Sequence, residues 1–194
     1  MKIFKFGGAS VKDAEGVKNV LHVLNTVGHE DVLLVISAMG KTTNALEVVI
    51  KNYFDKSKEL HASLQEVRKY HNQILLDLFE DEEHDVFFDV NAHFDDLEYF
   101  IRSNKSPNYS FVYDQVVSIG ELVSTTIVSH YFNYSGLKNN WIDVRPLIKT
   151  DNNYRDAQVD WETTQKLISK GIKKKTLNIT QGFLGSDENN FTTT

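Results

Sequence analysis

The spacing of hydrophobic and polar positions near the N-terminus changes from a strand-like to a helix-like pattern and back. Residues 2–6 form a short apolar stretch that predicts a buried strand ending at two glycines. From Ser10 the apolar positions recur at helical spacing, which predicts a helix capped at Gly28. Residues 31–38 are a continuous aliphatic run, as expected for a parallel strand covered on both faces. This succession predicts a βαβ unit and hence an α/β fold.

The middle of the chain, from about residue 43 to residue 135, is predicted to be rich in helix. Apolar residues recur at helical spacing through residues 43–102, with an acidic break at residues 80–85. Residues 104–108 (NKSPN) predict a loop, after which a helical pattern resumes and closes at Gly136. This segment therefore predicts a helical insertion in the α/β fold.

The alternation of strands and helices returns near the C-terminus. Residues 140–145 predict a strand, residues 161–170 a helix, and residues 176–185 a last strand that ends in glycines. The chain has no internal repeat and no low-complexity tract.

Composition narrows the possible functions. Hydrophobic residues make up 41% and charged residues 25%, the balance of a globular protein, and the net charge of −6 argues against a nucleic-acid binder. The absence of cysteine excludes a disulfide scaffold, a thiolate nucleophile and a cysteine-ligated zinc site. No apolar run approaches the roughly 20 residues that span a bilayer, and no signal-peptide pattern is present. We therefore expect a cytoplasmic protein with no nucleic-acid and no membrane partner. The seven histidines lack metal-site spacing, so we predict no metal ligands.

The end of the first predicted strand is a candidate site, because ligands of open α/β sheets bind at the carboxyl ends of strands. Lys5 lies in this strand, and Gly7 and Gly8 allow backbone N–H groups to approach an anion just before Ser10. Two interpretations stay open on these residues alone: a phosphate site, or a tight turn from which Lys5 extends into solvent.

The end of the second predicted strand carries small polar residues. A Gly-Lys-Thr triplet at residues 40–42 suggests a P-loop, but a Walker A motif needs glycine where the chain has Val35. For Ser37, Thr42 and Thr43, the pattern favours plain helix caps.

Charged residues mark two further positions. Arg145, at the end of the third predicted strand, could bind a carboxylate bidentately, or it could form a surface ion pair with Asp143 or Asp151. Glu121, inside a helical stretch, could bind an ammonium group or lie on a solvated face.

Taken together and in order, these motifs resemble those of the aspartate kinases of the amino-acid kinase superfamily. The resemblance runs from Lys2 to Thr194 and rests on the motifs KFGGAS, VISAMGKTTNAL, SIGELVST, WIDVRPLIKTD and TQGFLGS followed by TTT. It implies a three-layer αβα sandwich with a mostly parallel sheet, in which residues 1–194 form the N-terminal, amino-acid-binding lobe. By the same resemblance, the nucleotide-binding lobe and the regulatory ACT domains would lie outside this chain.

The resemblance also implies a reaction, the transfer of the γ-phosphoryl group of ATP to the side-chain carboxylate of L-aspartate. The product would be 4-phospho-L-aspartate, on the route to lysine, threonine and methionine. Carried over by motif, the catalytic residue is Lys5, and the phosphate contacts are Lys5, Gly7, Gly8 and Ser10. The substrate contacts are Glu121 for the ammonium, Arg145 for the α-carboxylate, and Ser37 and Thr42 near the reacting carboxylate.

Further expectations follow from the resemblance. Mg²⁺ would be held mainly by the phosphates of ATP, the full-length protein would be a homo-oligomer, and this chain alone would be inactive. Ala9 departs from the threonine of many relatives, and Asn189-Asn190 replaces a common glycine. Two alternatives remain: a kinase acting on another amino acid or on a carbamate, and a lobe that binds an amino acid or oligomerises without catalysis.

Overall fold

The computed structural model describes all 194 residues and is built on a parallel four-stranded sheet. Its strands lie in the order β1-β2-β4-β3, and every neighbouring pair is parallel. Their bounds are β1 Lys2–Phe6, β2 Val32–Ile36, β3 Asn139–Ile142 and β4 Leu177–Gln181. A short antiparallel hairpin, β5 Gly185–Ser186 and β6 Thr192–Thr193, follows the sheet. The α/β class predicted from the sequence is confirmed.

Six α-helices and one 3₁₀ helix connect these strands. They are the 3₁₀ helix Gly8–Val11, α1 Ala14–Val27, α2 Thr42–Phe54, α3 Leu60–Leu78, α4 Asp85–Ser103, α5 Tyr109–Tyr134 and α6 Trp161–Gly171. The helix-rich middle segment thus consists of α2 to α5. Residues 79–84, which include most of the acidic stretch, separate α3 from α4, and residues 104–108 form the loop before α5, as predicted.

Three predicted boundaries were wrong, two of them because an aspartate side chain bonds to the backbone nearby. α1 begins at Ala14 and not at Ser10, since the Asp13 side chain caps it by accepting a hydrogen bond from the N–H of Gly16 (2.8 Å). The third strand ends at Ile142, because Asp143 folds back to accept the N–H of Arg145 (3.0 Å). The last predicted strand is divided in two, since residues 182–184 leave the sheet before the hairpin begins.

Helices cover both faces of the sheet. Phe4, Leu34 and Ile179 occupy equivalent positions on neighbouring strands and therefore face the same side. α5 packs on this side, where Thr125 accepts a hydrogen bond from the indole N–H of Trp141, the residue paired with Ile179 (3.0 Å). The β1-α1-β2 and β3-α6-β4 connections cross the sheet in opposite directions, so right-handed crossovers place α1 and α6 on opposite faces. The predicted three-layer sandwich is confirmed.

The two outer layers are unequal. α5 is apolar around most of its circumference and lies at the centre of the helical layer, with every residue from 116 to 129 buried. The α6 face is thinner, since Ile3 on β1 is 67% exposed and Trp161 at the start of α6 is 75% exposed. No helix combines the length and the apolar composition that a membrane crossing requires.

Candidate functional site

The turns that follow β1 and β2 are in direct contact at the carboxyl edge of the sheet. The N–H of Gly40 donates to the carbonyl of Gly8 (3.0 Å). A Cβ atom added to Gly8 would lie 2.6 Å from the carbonyl oxygen of Ala38, so only glycine fits there. A Cβ atom added to Gly7 would meet nothing within 4 Å. Gly8 is therefore required by the packing of the two turns, whereas Gly7 leaves open space that a ligand could enter.

Lys5 and Ser10 flank this glycine turn. Lys5 pairs with Val35 in the sheet and alternates with Phe4 and Phe6, so its side chain leaves β1 on the face opposite α5. It is exposed and forms no ion pair. Ser10 is also exposed, and its N–H donates to the carbonyl of Gly7 (2.9 Å). Both side chains are free to contact a ligand.

Glu121 lies on α5, beside the point where Gly120 packs against the turn after β2. A Cβ atom added to the preceding Gly120 would lie 2.9 Å from the Cβ of Ala38, so the absent side chain permits this approach. Glu121 is only 5% exposed, and its Oε1 accepts a hydrogen bond from the N–H of Ala38 (3.3 Å). No basic side chain forms an ion pair with it, and burial raises the pKa of its carboxyl to about 7.

Ser37 directly follows β2. Its backbone is held by hydrogen bonds, whereas its side chain forms none. Its carbonyl accepts a hydrogen bond from the hydroxyl of Ser124 on α5 (2.8 Å), and its N–H donates to Phe6 (3.1 Å). Ser37 is half-buried, and its hydroxyl bonds to no other residue. The hydroxyl therefore retains its full hydrogen-bonding capacity for a ligand.

Thr42, the first residue of α2, directs its hydroxyl into the protein. The residue is 3% exposed, and its hydroxyl donates to the carbonyl of Met39 (2.6 Å). The same oxygen lies 3.3 Å from Nε2 of His71 on α3, whose Nδ1 is 2.8 Å from the carbonyl of Val67. Burial lowers the pKa of His71 to about 4, so this imidazole is neutral at physiological pH. In this arrangement the Thr42 hydroxyl faces α3 and is not presented to solvent.

Arg145 is already engaged by its own neighbour. Its Nη2 lies 2.6 Å from Oδ2 of Asp143, and its Nε lies 2.9 Å from Oδ1 of the same carboxylate. Its Nη1 reaches the hydroxyl of Thr192 in the hairpin (3.4 Å). The ion pair with Asp143, one of the two interpretations of the sequence, is thus formed, and a ligand carboxylate would have to compete with it.

The predicted residues share one edge of the sheet but do not form one closed cluster. Lys5 leaves the sheet on one face, whereas Glu121 lies on the helix that covers the other. Because β4 separates β2 from β3, the ends of these two strands lie about 10 Å apart. Gln181, at the end of β4, connects α5 to the segment after β3: its Nε2 donates to Thr125 on α5 (2.7 Å), and its Oε1 accepts from the N–H of Val144 (2.9 Å).

Two buried polar residues near the site were not predicted from the sequence. His71 occupies an apolar position of the α3 stripe, four residues from both Val67 and Leu75. Gln181 ends a strand in which all five residues are buried. In each case the signal was a polar residue at a position that the apolar pattern assigns to the core, since buried polar groups are retained where they form hydrogen bonds.

A cavity of about 510 Å³ opens between α2 and α3, next to the two strand-end turns. Thr42 is the only predicted site residue that lines it, and Lys12, Lys41 and Tyr70 form part of its wall. No group of three or more histidine, aspartate or glutamate side chains is arranged to hold a metal ion.

Comparison with known proteins relates the whole chain to one family. The sequence profile of the amino acid kinase family matches residues 1–193. The bifunctional aspartokinase/homoserine dehydrogenase 2 of Escherichia coli is 29% identical over 150 residues, which are 77% of this chain and 18% of that protein. The aspartokinase of Chlamydia trachomatis is 25% identical over 192 residues, which are 98% of this chain and 42% of that protein. The chain spans less than half the length of these relatives.

Two crystal structures of Escherichia coli aspartokinase III have the same fold as this chain. One is a complex with lysine and aspartate and the other a complex with aspartate and ADP, and each superposes with a TM-score of 0.85. The sequence identities are 24% and 23%, and each match covers all of this chain and 43% of the other. At these identities the likeness shows the fold alone.

Proposed function

The chain belongs to the amino acid kinase family, as the order of its motifs predicted, and we propose that it is the amino-acid-binding lobe of an aspartokinase. In the proposed reaction a side-chain carboxylate oxygen of L-aspartate attacks the γ-phosphorus of ATP. The bond between that phosphorus and the β,γ-bridging oxygen breaks, ADP leaves, and 4-phospho-L-aspartate forms. A carboxylate attacking a polyanion needs positioning and charge neutralisation more than covalent catalysis.

The observation that carries this proposal is the buried carboxyl of Glu121, which has no basic partner at the carboxyl edge of the sheet. An ionised carboxylate in such surroundings is costly, because it has lost water and gained no counterion. The ammonium group of an amino acid would supply that counterion. Glu121 is therefore the proposed ammonium contact, and the free hydroxyl of Ser37 lies near enough along the same turn to act as a further polar contact.

The glycine turn supplies the proposed phosphate side of the site. Lys5 is a cation without an ion-pair partner, and Gly7 leaves open space beside it. We assign Lys5 to the transferring phosphoryl group, where it would stabilise the charge that moves onto the bridging oxygen. Gly7, Gly8 and Ser10 are assigned to the phosphates of ATP. Removal of one such positively charged donor is expected to lower turnover about 10²- to 10³-fold.

Arg145 is the proposed contact for the α-carboxylate of aspartate, in competition with Asp143. Asp143→Asn tests this assignment, because the amide oxygen can still accept the N–H of Arg145 but no longer neutralises its guanidinium. If Arg145 binds the α-carboxylate, this variant should bind aspartate roughly 2- to 5-fold more tightly in a calorimetric titration. Unchanged affinity in Asp143→Asn, together with unchanged affinity in Arg145→Gln, would remove Arg145 from the site.

We propose that a second lobe holds most of the nucleotide, and that ACT domains and a homo-oligomeric assembly belong to the complete enzyme. Matches that cover 42% and 43% of two aspartokinases support this division. Mg²⁺ would be ligated mainly by the phosphates of ATP. Bound there, the ion would neutralise phosphate charge, which Lys5 complements from the protein side.

The test is an ATP-dependent assay of this chain joined to its second lobe, in which hydroxylamine traps the acyl phosphate. L-Aspartate and L-glutamate are compared in parallel, with Lys5→Ala and Glu121→Gln as variants. Product from aspartate alone, greatly reduced in both variants, is the expected result. Product from glutamate instead would identify a different amino acid kinase, and no product from either, in a folded protein, would contradict the kinase assignment.

A further inference from the structure

The cavity between α2 and α3 combines apolar walls with two lysines that have no acidic partner. Ala45 and Val48 of α2 face Val67 of α3 across it, and Val48 is 51% exposed. Lys12 and Lys41 line the same cavity, and neither forms an ion pair. Its volume of about 510 Å³ lies within the range of small-molecule sites.

The two lysines reach the cavity from different elements. Lys12 follows the 3₁₀ helix after β1, and Lys41 directly precedes α2 after β2. A carboxylate in the wall, Glu66 of α3, offsets only one of these two charges. The side chains that line the cavity therefore carry a net positive charge, although the protein as a whole carries a net charge of −6. This local reversal favours an anion over a cation.

Tyr70 connects the cavity to both strand-end turns. Its ring lines the cavity, and its hydroxyl donates a hydrogen bond to the carbonyl of Lys12. The same hydroxyl packs over Gly40, where an added Cβ atom would lie 2.6 Å from it. Gly40 in turn donates its N–H to Gly8 (3.0 Å). A molecule that displaces Tyr70 would therefore disturb its contact with Lys12, after β1, and its contact with Gly40, after β2.

We propose that this cavity binds a small anionic molecule with an apolar body, and that Tyr70 communicates its occupancy to the turns after β1 and β2. The anionic group would lie between Lys12 and Lys41, and the apolar body would cover Ala45, Val48 and Val67. The cavity adjoins the site proposed for aspartate at Thr42, but neither Glu121 nor Lys5 lines it, and the Thr42 hydroxyl is bonded to Met39. Anion binding in this cavity would be expected whether or not the protein is a kinase.

Two probes that differ only in charge test the proposal directly. 4-Phenylbutyrate and 4-phenylbutylammonium share an apolar body, and each is titrated into the 194-residue chain while methyl and amide NMR signals are recorded. The anionic probe should shift the methyl signals of Val48 and Val67 in a saturable manner, and the cationic probe should shift them far less. Equal binding of the two probes, or shifts confined to other parts of the chain, would overturn the proposal.

A pair of double variants locates the charge that the anion recognises. Lys12→Gln with Lys41→Gln should weaken binding of 4-phenylbutyrate roughly 2- to 30-fold, the range for two exposed charge pairs. Lys51→Gln with Lys69→Gln removes the same charge from exposed positions of α2 and α3 that do not line the cavity. This control should bind normally, and an equal loss in both double variants would show non-specific attraction only.

Tyr70→Phe tests the communication separately from the binding. The variant keeps the ring in the cavity wall but removes the hydroxyl that contacts Lys12 and packs over Gly40. In the unmodified chain the amide signals of Gly8 and Gly40 should shift with the probe. In Tyr70→Phe these two shifts should shrink while the shift of Val48 persists. Undiminished shifts of Gly8 and Gly40 would refute the role of Tyr70.

Discussion

At the scale of single residues, two buried ionisable groups near the site respond to pH in opposite directions. The carboxyl of Glu121 has a pKa raised to about 7 by burial, and the imidazole of His71 has a pKa lowered to about 4 by burial. Folding makes Glu121 bind a proton more tightly and His71 bind one less tightly. Between about pH 4.5 and pH 6.5 their effects on stability therefore oppose each other.

Glu121→Gln should remove the loss of stability that ionisation of the buried carboxyl causes at high pH. Because the folded pKa of Glu121 exceeds its unfolded value of 4.5, its contribution to stability is complete below about pH 4.5 and is lost as the pH rises to about 7. The loss amounts to about 3 kcal/mol, so the glutamine variant should be more stable than the parent at pH 8 by up to that amount. Urea unfolding at pH 5 and pH 8 measures this, and an identical pH dependence in both proteins would contradict the buried, unpaired carboxyl.

His71→Phe should remove the loss of stability that protonation of the buried imidazole causes at low pH. Since the folded pKa of His71 lies below 6.5, stability falls as the pH decreases from about 6.5 to about 4, by about 3 kcal/mol in all. The phenylalanine variant should lose this acid sensitivity, while its stability at pH 8 falls by about 1 to 2 kcal/mol with the loss of the hydrogen bond from Nδ1 of His71 to the carbonyl of Val67. The check is urea unfolding between pH 4 and pH 8, with the exposed His61→Phe as the control.

The polar contacts around His71 outnumber the hydrogen atoms that are available to be donated in them. Three contacts run in series: from Val67 O to His71, from His71 to the Thr42 hydroxyl, and from that hydroxyl to Met39 O. The outer groups are carbonyl acceptors, and a neutral imidazole plus one hydroxyl supply only two protons. The contact of 3.3 Å between His71 and Thr42 is the longest of the three and is the one left without a proton when the hydroxyl donates to Met39. Protonation of His71 would complete the series, but burial opposes it.

At the scale of elements, the site depends on how closely α5 approaches the turn after β2. That approach occurs at Gly120, where an added Cβ atom would lie 2.9 Å from Ala38 Cβ and 3.2 Å from Thr42 Cγ2. The hydrogen bond from Ala38 to Glu121 is made immediately beside it. A glycine inside a helix costs about 1 kcal/mol relative to alanine, and close packing of α5 offsets that cost here.

Gly120→Ala should therefore destabilise the protein in spite of its better helix propensity. The expected loss is about 1 to 3 kcal/mol, because the added methyl group overpacks the contact with Ala38. Ala38→Gly combined with Gly120→Ala removes the opposing methyl group and should recover part of the loss. Thermal unfolding of the single and double variants provides the measurement, and a single variant more stable than the parent would contradict the close approach.

At the scale of the whole molecule, the chain holds the proposed aspartate contacts but spans less than half of the aspartokinases it matches. Asp114 of α5 accepts hydrogen bonds from the N–H of Thr194 (3.0 Å), directly after β6, and from the N–H of Arg155 (3.0 Å). Its side chain therefore fixes the last residue of this chain against the helix that carries Glu121.

We predict that the 194 residues alone bind aspartate but do not phosphorylate it. Glu121 supplies a counterion within this chain, whereas the nucleotide contacts are proposed to come mainly from a second lobe. A coupled assay for ADP should show no aspartate-dependent turnover above the rate without protein, while an NMR titration with aspartate shifts the amide signals of Ser37 and Ala38. Aspartate-dependent ADP formation by the 194-residue chain would refute the division into two lobes.

The sequence by itself determined the fold class and the location of the candidate site. Continuous aliphatic runs and helical stripes are local patterns, so strands, helices and their order could be predicted from them. Since parallel strands end at a common edge, the strand-end motifs also placed Lys5, Gly7, Gly8 and Ser37 at that edge. These features depend on residues that are near one another in the chain.

Only the tertiary structure decided what each of these side chains contacts. Gly8 is needed for packing, Thr42 faces His71, and Glu121 is bonded to Ala38 but lacks a counterion. The contacts that show this join residues 29 to 83 positions apart in the chain. The engagement of Arg145 by Asp143 is local, yet the sequence left it open because an arginine can bind either a neighbour or a ligand. Burial sets the ionisation of Glu121 and His71, and burial is a property of the assembled layers rather than of any segment.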